Sequence, residues 1–136
     1  TVDMAIANET LYLLHVDGHL SRCTFGSLSF EPTRCDDEVA YSDSRPGRDP
    51  NPVRFIDARF SQAMTTSLPT PALYMLDPTS KSVYLFSLQL KLQYQLRPQP
   101  SADYPLPDTN ATAFTISSNR MFFMALDNMI YYGVLP

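Results

Sequence analysis

The sequence predicts an all-β domain of repeated four-stranded antiparallel units, and three observations carry that prediction. Apolar residues alternate or run together in blocks of about four, instead of recurring at the three-and-four spacing of a helix face. Twelve prolines interrupt most windows long enough for a helix. The first segment of the chain also reappears in the last. A shift of 110 residues lays Met4-Ala5-Ile6 on Phe114-Thr115-Ile116 and Leu11-Tyr12-Leu13-Leu14 on Met121-Phe122-Phe123-Met124 without a gap. The same shift lays Val16-Asp17-Gly18-His19-Leu20 on Leu126-Asp127-Asn128-Met129-Ile130.

Each unit reads in the same order. A strand comes first, then a short polar turn, then an apolar run rich in aromatic residues, as suits a strand covered on both faces. Asp17-Gly18 and Asp127-Asn128 supply two-residue hairpin turns. A third strand follows at residues 20–25, 83–87 and 129–134, and a fourth at 29–34 and 91–97. The middle unit enters through Leu73-Tyr74-Met75-Leu76-Asp77, a four-residue turn and Val83-Tyr84-Leu85-Phe86. The units span 1–35, 53–98 and 111–136 of a single domain, with Pro-rich surface loops at 36–52 and 98–110. Residues 11–14, 73–76 and 122–124 are expected to be buried. Short strands at even spacing admit a β-sandwich, and the repeated four-stranded unit selects a partial β-propeller of about three blades.

Residues 73–95 resemble an NHL-type propeller repeat. That blade runs apolar-Tyr-apolar-x-Asp, a polar turn, then Ile-x-Val-Phe, and Leu73 to Asp77 and Val83 to Phe86 follow it. Ser80 stands where the family favours Asn, Ser82 where it favours Arg, and Leu90 in the place of a usual Gly. The whole chain is similar in style to uncharacterised bacterial propeller proteins, a likeness that implies no activity. Propellers close with about four to eight blades, so a three-unit chain is expected to belong to something larger.

The net charge is −4 and the ten basic residues are scattered, a poor match to nucleic acid. No apolar run approaches the roughly 20 residues of a spanning helix, so membrane insertion by this segment is not expected. The chain opens on Thr1 with no charged-then-apolar leader and is expected to be a processed product. Cys23 and Cys35 are its two cysteines. Their pairing would suit an oxidising compartment, extracellular, periplasmic or at the cell surface, and two buried free thiols are the alternative. Asn8 and Asn110 each begin an N-glycosylation pattern.

No catalytic, cofactor or metal constellation emerges. Gly26-Ser27-Leu28-Ser29-Phe30 is not the Gly-x-Ser-x-Gly of a nucleophile elbow, since Leu28 holds the serine position and Phe30 that of the second glycine. In a two-residue Asp17-Gly18 turn, His15 would pair with Leu20 and His19 with Val16. The two imidazoles would then point to opposite faces, away from a shared metal. Asp36, Asp37, Glu38, Asp43 and Asp49 cluster in the first long loop. They read as a solvated loop before a calcium site. Tyr12, Tyr74, Tyr84, Phe122, Phe123, Tyr131 and Tyr132 read first as packing and second as a stacking platform for sugars. The functional expectation is a non-catalytic extracytoplasmic module that binds protein: remaining blades of a parent chain, a cleaved partner or further copies. The alternative is a carbohydrate-binding, lectin-like or carbohydrate-active domain.

Overall fold

A computed structural model of the chain describes residues 3–25, 35–39, 42–43, 54–55, 59–66, 71–103 and 105–135. No helix occurs among them, and the fold is all-β. The first sheet is a meander of β1 (Asp3–Ala7), β2 (Thr10–Leu14), β3 (Leu20–Thr24) and β4 (Cys35–Val39). A two-stranded ribbon pairs β5 (Ser42–Asp43) with β6 (Arg54–Phe55). The second sheet runs β7 (Gln62–Thr66), β8 (Ala72–Asp77), β9 (Ser82–Phe86) and β10 (Leu92–Leu96). The third contains β11 (Ala111–Ile116), β12 (Met121–Leu126) and β13 (Met129–Val134). All neighbouring strands are antiparallel.

The three large sheets stack face to face like blades, with the second in the middle. Their first strands stand side by side, β7 between β1 and β11. Side chains rivet these strands together. The Ala63 N–H donates to Asp3 Oδ2 at 2.9 Å, and Thr65 Oγ1 donates to the Ile6 carbonyl. The Gln62 amide donates to the Phe114 carbonyl at 2.7 Å and accepts from the Phe114 N–H at 3.0 Å, as another strand would.

Strand alternation divides the apolar side chains between two cores. Ala5, Tyr12, Leu14 and Leu20 of the first sheet meet Leu73, Met75, Phe86 and Leu92 of the second. On the other side, Tyr74, Leu76 and Val83 meet Phe114, Ile116, Met124 and Leu126 of the third. Every residue of β8 is buried. At its end the Asp77 carboxylate accepts from the Thr79 N–H at 3.2 Å and from Ser80 Oγ at 2.7 Å. This ordering of the β8–β9 turn is the structural role of the Asp that ends the apolar run.

Several expectations need correction. Residues 73–76 are buried as expected, but Leu11, Leu13, Phe122 and Phe123 are only half-buried. Leu11, Leu13 and Phe123 point to the outer faces of the first and third sheets, where no core cluster lies among the described residues. Residues 29–34 lie outside the described residues, and the observed fourth strand of the first sheet is β4, beginning at Cys35. Residues 36–39 and 42–43 are therefore strand where a loop was expected. An edge strand tolerates acidic residues because one side of it stays in water.

The gapless repeat is also one residue out of phase in its first strand. Ala5 and Ala7 are buried in β1, whereas Phe114 and Ile116 are buried in β11. The β1–β2 turn holds two residues between paired Ala7 and Thr10, and the β11–β12 turn holds three between Ser117 and Met121. One added turn residue inverts the facing of everything before it.

Candidate interaction surfaces

The outer faces of the first and third sheets are the most extensive features not used by the cores. On the first sheet, cross-strand pairing sets Met4 beside Leu13 and Ser21, and Ile6 beside Leu11 and Cys23. Met4 is 60% exposed and Ile6 54%. On the third, Thr115, Phe123 and Tyr132 form one row, Ala113, Ala125 and Ile130 a second, and Met121 and Val134 a third. Tyr132 is 72% exposed and Val134 75%, with the Tyr132 ring stacked on Phe123 at 6.2 Å. Across β1–β3 and β11–β13 these rows contain no charged residue; Ser21 and Cys23 are buried, and beyond them β4 brings acidic residues to the first sheet. The second sheet has no such face, since both of its sides are packed.

Three hairpins share one turn geometry. In the first, the Gly18 N–H donates to the His15 carbonyl at 2.9 Å and the His15 N–H donates to the His19 carbonyl at 3.0 Å. Ser87 to Lys91 and Ser117 to Met121 repeat both bonds. The last loop residue is left-handed in each: Gly18 at φ 90°, Leu90 at 62° and Arg120 at 65°. This is a three-residue loop ending in a bulge position.

The expected two-residue Asp17-Gly18 turn is thus incorrect. Leu14 pairs with Leu20, and the two histidines face each other across the loop, rings stacked at 4.2 Å. They come together, contrary to the two-face reading. One nitrogen of each ring is engaged, His15 Nε2 in a 2.7 Å hydrogen bond with Ser21 Oγ and His19 Nδ1 with Asp17. The backbone N–H and ring of His19 hold the Asp17 carboxyl below its ordinary range. Among the described residues, no group of three or more His, Cys, Asp or Glu is placed to hold a metal ion.

Cys23 and Cys35 form a disulfide, with Cα atoms 4.2 Å apart. Cys35 opens β4 and lies directly opposite Cys23 of β3. The bridge therefore joins two paired strands, whereas the second cysteine was expected beyond the fourth strand. Cys23 is buried and Cys35 exposed. Beside them Arg22 approaches Asp36 at 3.9 Å, an exposed pair of little energetic weight.

Asn8 and Asn110 are both exposed. Side chains of Asp37, Glu38 and Asp43, the residue Asp49 and residues 26–30 lie outside the described residues. The aromatic residues do not make one platform. Tyr12 and Tyr74 are core, Tyr84 packs edge-on to Phe60, and Phe122 and Tyr131 pack against the second core. Burial raises the Tyr12 phenol above its ordinary value, Arg22 offsetting part of the rise, and its hydroxyl donates to the Leu88 carbonyl at 3.0 Å.

A cavity of about 310 Å³ opens beside β13, between Leu96 to Gln99 and Tyr131 to Leu135. Sequence reasoning missed it, and the glycine inside a strand of otherwise large side chains, Gly133, was its one signal. Comparisons with protein-family models, curated proteins and solved structures find no match to this chain.

Proposed function

We propose that this chain is a non-catalytic, extracytoplasmic β-propeller module that serves as a protein-binding or structural component of a larger chain or assembly. The observation that carries the reading is the exposed apolar surface on the outer faces of the first and third sheets, at Met4 and Ile6 of β1 and at Ile130, Tyr132 and Val134 of β13. Exposed apolar surface rimmed by polar residues marks sites that other proteins cover. The two faces continue a stacking direction in which each sheet of this chain already covers the next. The likeness of residues 73–95 to an NHL-type blade supports the same arrangement. A disulfide on the first sheet suits an oxidising compartment, and the exposure of Asn8 and Asn110 suits glycosylation there.

The reading is tested by sedimentation velocity on the pure chain, on Ile6→Glu and on Val134→Glu. Wild type should associate with rising concentration. Each glutamate should shift it toward monomer while leaving the melting temperature unchanged. A wild-type chain that stays monomeric and fully folded at high concentration, with no binding of an apolar-surface dye, would refute the reading.

A further inference from the structure

The first and second sheets each have a fourth strand, β4 and β10, and the two are fastened by different means. β10 reads Leu-Gln-Tyr-Gln-Leu and is held by packing. Its Leu92 is 4% exposed and belongs to the first core, and its Leu96 packs against the second. β4 reads Cys-Asp-Asp-Glu-Val, three acidic residues in succession with Val39 as the one aliphatic residue. Its described side chains, Cys35 and Asp36, are both exposed. The described members of the first core on this sheet are Ala5, Ala7, Tyr12, Leu14 and Leu20, all on β1, β2 and β3.

A covalent bond ties β4 to β3. Cys35 stands directly opposite Cys23, so the bridge spans one rung of the ladder between the two strands. Beyond it the ladder is short. Asp36 pairs with Arg22, the register then shifts, and Val39 pairs with Leu20. The 3.9 Å ion pair of Arg22 with Asp36 is exposed and adds little. An edge strand with a single aliphatic residue has little apolar surface to bury, which puts it at the low end of local stability.

The two cysteines differ in access. Cys23 is 1% exposed, whereas Cys35 is exposed and opens the edge strand. An external thiolate therefore reaches Cys35 first.

We infer that the Cys23–Cys35 bond is a reducible latch on β4, and that a dithiol releases this strand without unfolding the cores. One thiolate of the dithiol attacks Cys35 Sγ. A mixed disulfide forms there, the Cys23–Cys35 bond breaks, and Cys23 leaves as a thiolate that takes up a proton. The second thiolate of the reductant displaces Cys35, which takes up a proton in turn. The protein gains two electrons and two protons, and the dithiol departs as its own disulfide. β4 then detaches and lays open the β3 edge that it covered. An unpaired edge is a template for another strand, and an acidic strand such as β4 is a poor one. The redox state of one bond thus decides which edge the first sheet presents.

The test is hydrogen–deuterium exchange of the folded chain, read by mass spectrometry before and after dithiothreitol in the absence of denaturant. Reduction should speed exchange of the amides at residues 35–39 by about tenfold or more and leave those of β8 and β12 unchanged. Reduction itself should be faster than global unfolding and proportional to dithiol concentration. The double variant Cys23→Ser with Cys35→Ser should show the fast exchange from the outset and no response to dithiothreitol. Unchanged exchange at residues 35–39 in the reduced chain overturns the inference. So does exchange that rises equally in β8, since the bond would then be a staple of the whole fold. Reduction no faster than global unfolding overturns it as well, since Cys35 would then be out of reach in the folded chain.

Discussion

Three hairpins place different residues at one left-handed position, and substitution there should change stability in residue-specific ways. At Gly18 an added Cβ would stand 2.7 Å from Arg59 Cα and 3.0 Å from the Phe60 nitrogen. Both are backbone atoms, so the neighbour cannot swing aside. Gly18→Ala therefore carries about 1–2 kcal/mol for the left-handed backbone and about 1–3 kcal/mol for overpacking. The expected loss is about 2–5 kcal/mol. Leu90 holds the same position with its side chain fully buried in the first core. Leu90→Gly relieves the backbone by about 1–2 kcal/mol but removes a core leucine worth about 2–5. A net loss of up to about 4 kcal/mol follows. Arg120 is exposed, so Arg120→Gly gives up little buried area and only the interactions of an exposed side chain. Relief of the backbone, offset in part by the greater freedom of glycine in the unfolded chain, leaves a gain of about 0.5–1 kcal/mol. Urea denaturation with a shared slope separates these outcomes. A neutral Gly18→Ala, or an Arg120→Gly that loses more than about 1 kcal/mol, would refute the reasoning.

The remaining expectations concern links between elements. Thiol titration of the denatured, unreduced chain should find none, and Cys23→Ala with Cys35→Ala should lower stability by about 3 kcal/mol in urea. Gln62→Leu removes both bonds to Phe114 and leaves a backbone pair short of partners, which should cost about 1–3 kcal/mol by the same measurement. The lowered Asp17 value stabilises the fold above its ordinary range, and that contribution is lost as pH falls through the folded value. Melting temperatures from about pH 5 to about pH 2 should therefore decline less steeply in Asp17→Asn. The raised Tyr12 value acts in the opposite sense, its contribution full below about pH 10 and lost as pH rises through the folded value. Tyr12→Phe should flatten the alkaline limb of the melting curve.

The strands that were legible in the sequence are those whose side chains are apolar on both faces. β8, β9 and β12 announce themselves as apolar runs, although only β8 is buried along its whole length. β4 does not, since its acidic residues give no apolar alternation to read. β7 is nearly as silent: Gln62 spends its amide on Phe114, a partner 52 residues away that no local pattern reveals. The cysteine pairing was readable from the absence of competitors, but the strand that carries Cys35 was not. At the candidate surfaces, apolarity at Leu13 and Phe123 was plain, yet what covers a residue is a tertiary fact. Both were read as core and are half-buried on outer faces. Turn length was the other blind point. Asp17-Gly18 satisfies a two-residue turn and the end of a three-residue loop equally well, and only the second brings His15 over His19.

β8 has no solvent side, and its alternate residues belong to two cores that share no member. Adjacent letters of the sequence are therefore remote in energy. A truncation at Met75 is felt in the cluster that holds Tyr12 and Leu14, and one at Tyr74 in the cluster that holds Phe114 and Met124. Such pairs should combine additively despite their contiguity. The same arrangement makes β8 a reading frame for packing. A conservative exchange at any one position disturbs one neighbour sheet, whereas a single residue inserted or deleted within the strand would deliver part of each core to the other side. Drift in this chain is consequently open to substitution along β8 and closed to length change, and tolerance to length belongs to the turns and loops between its sheets.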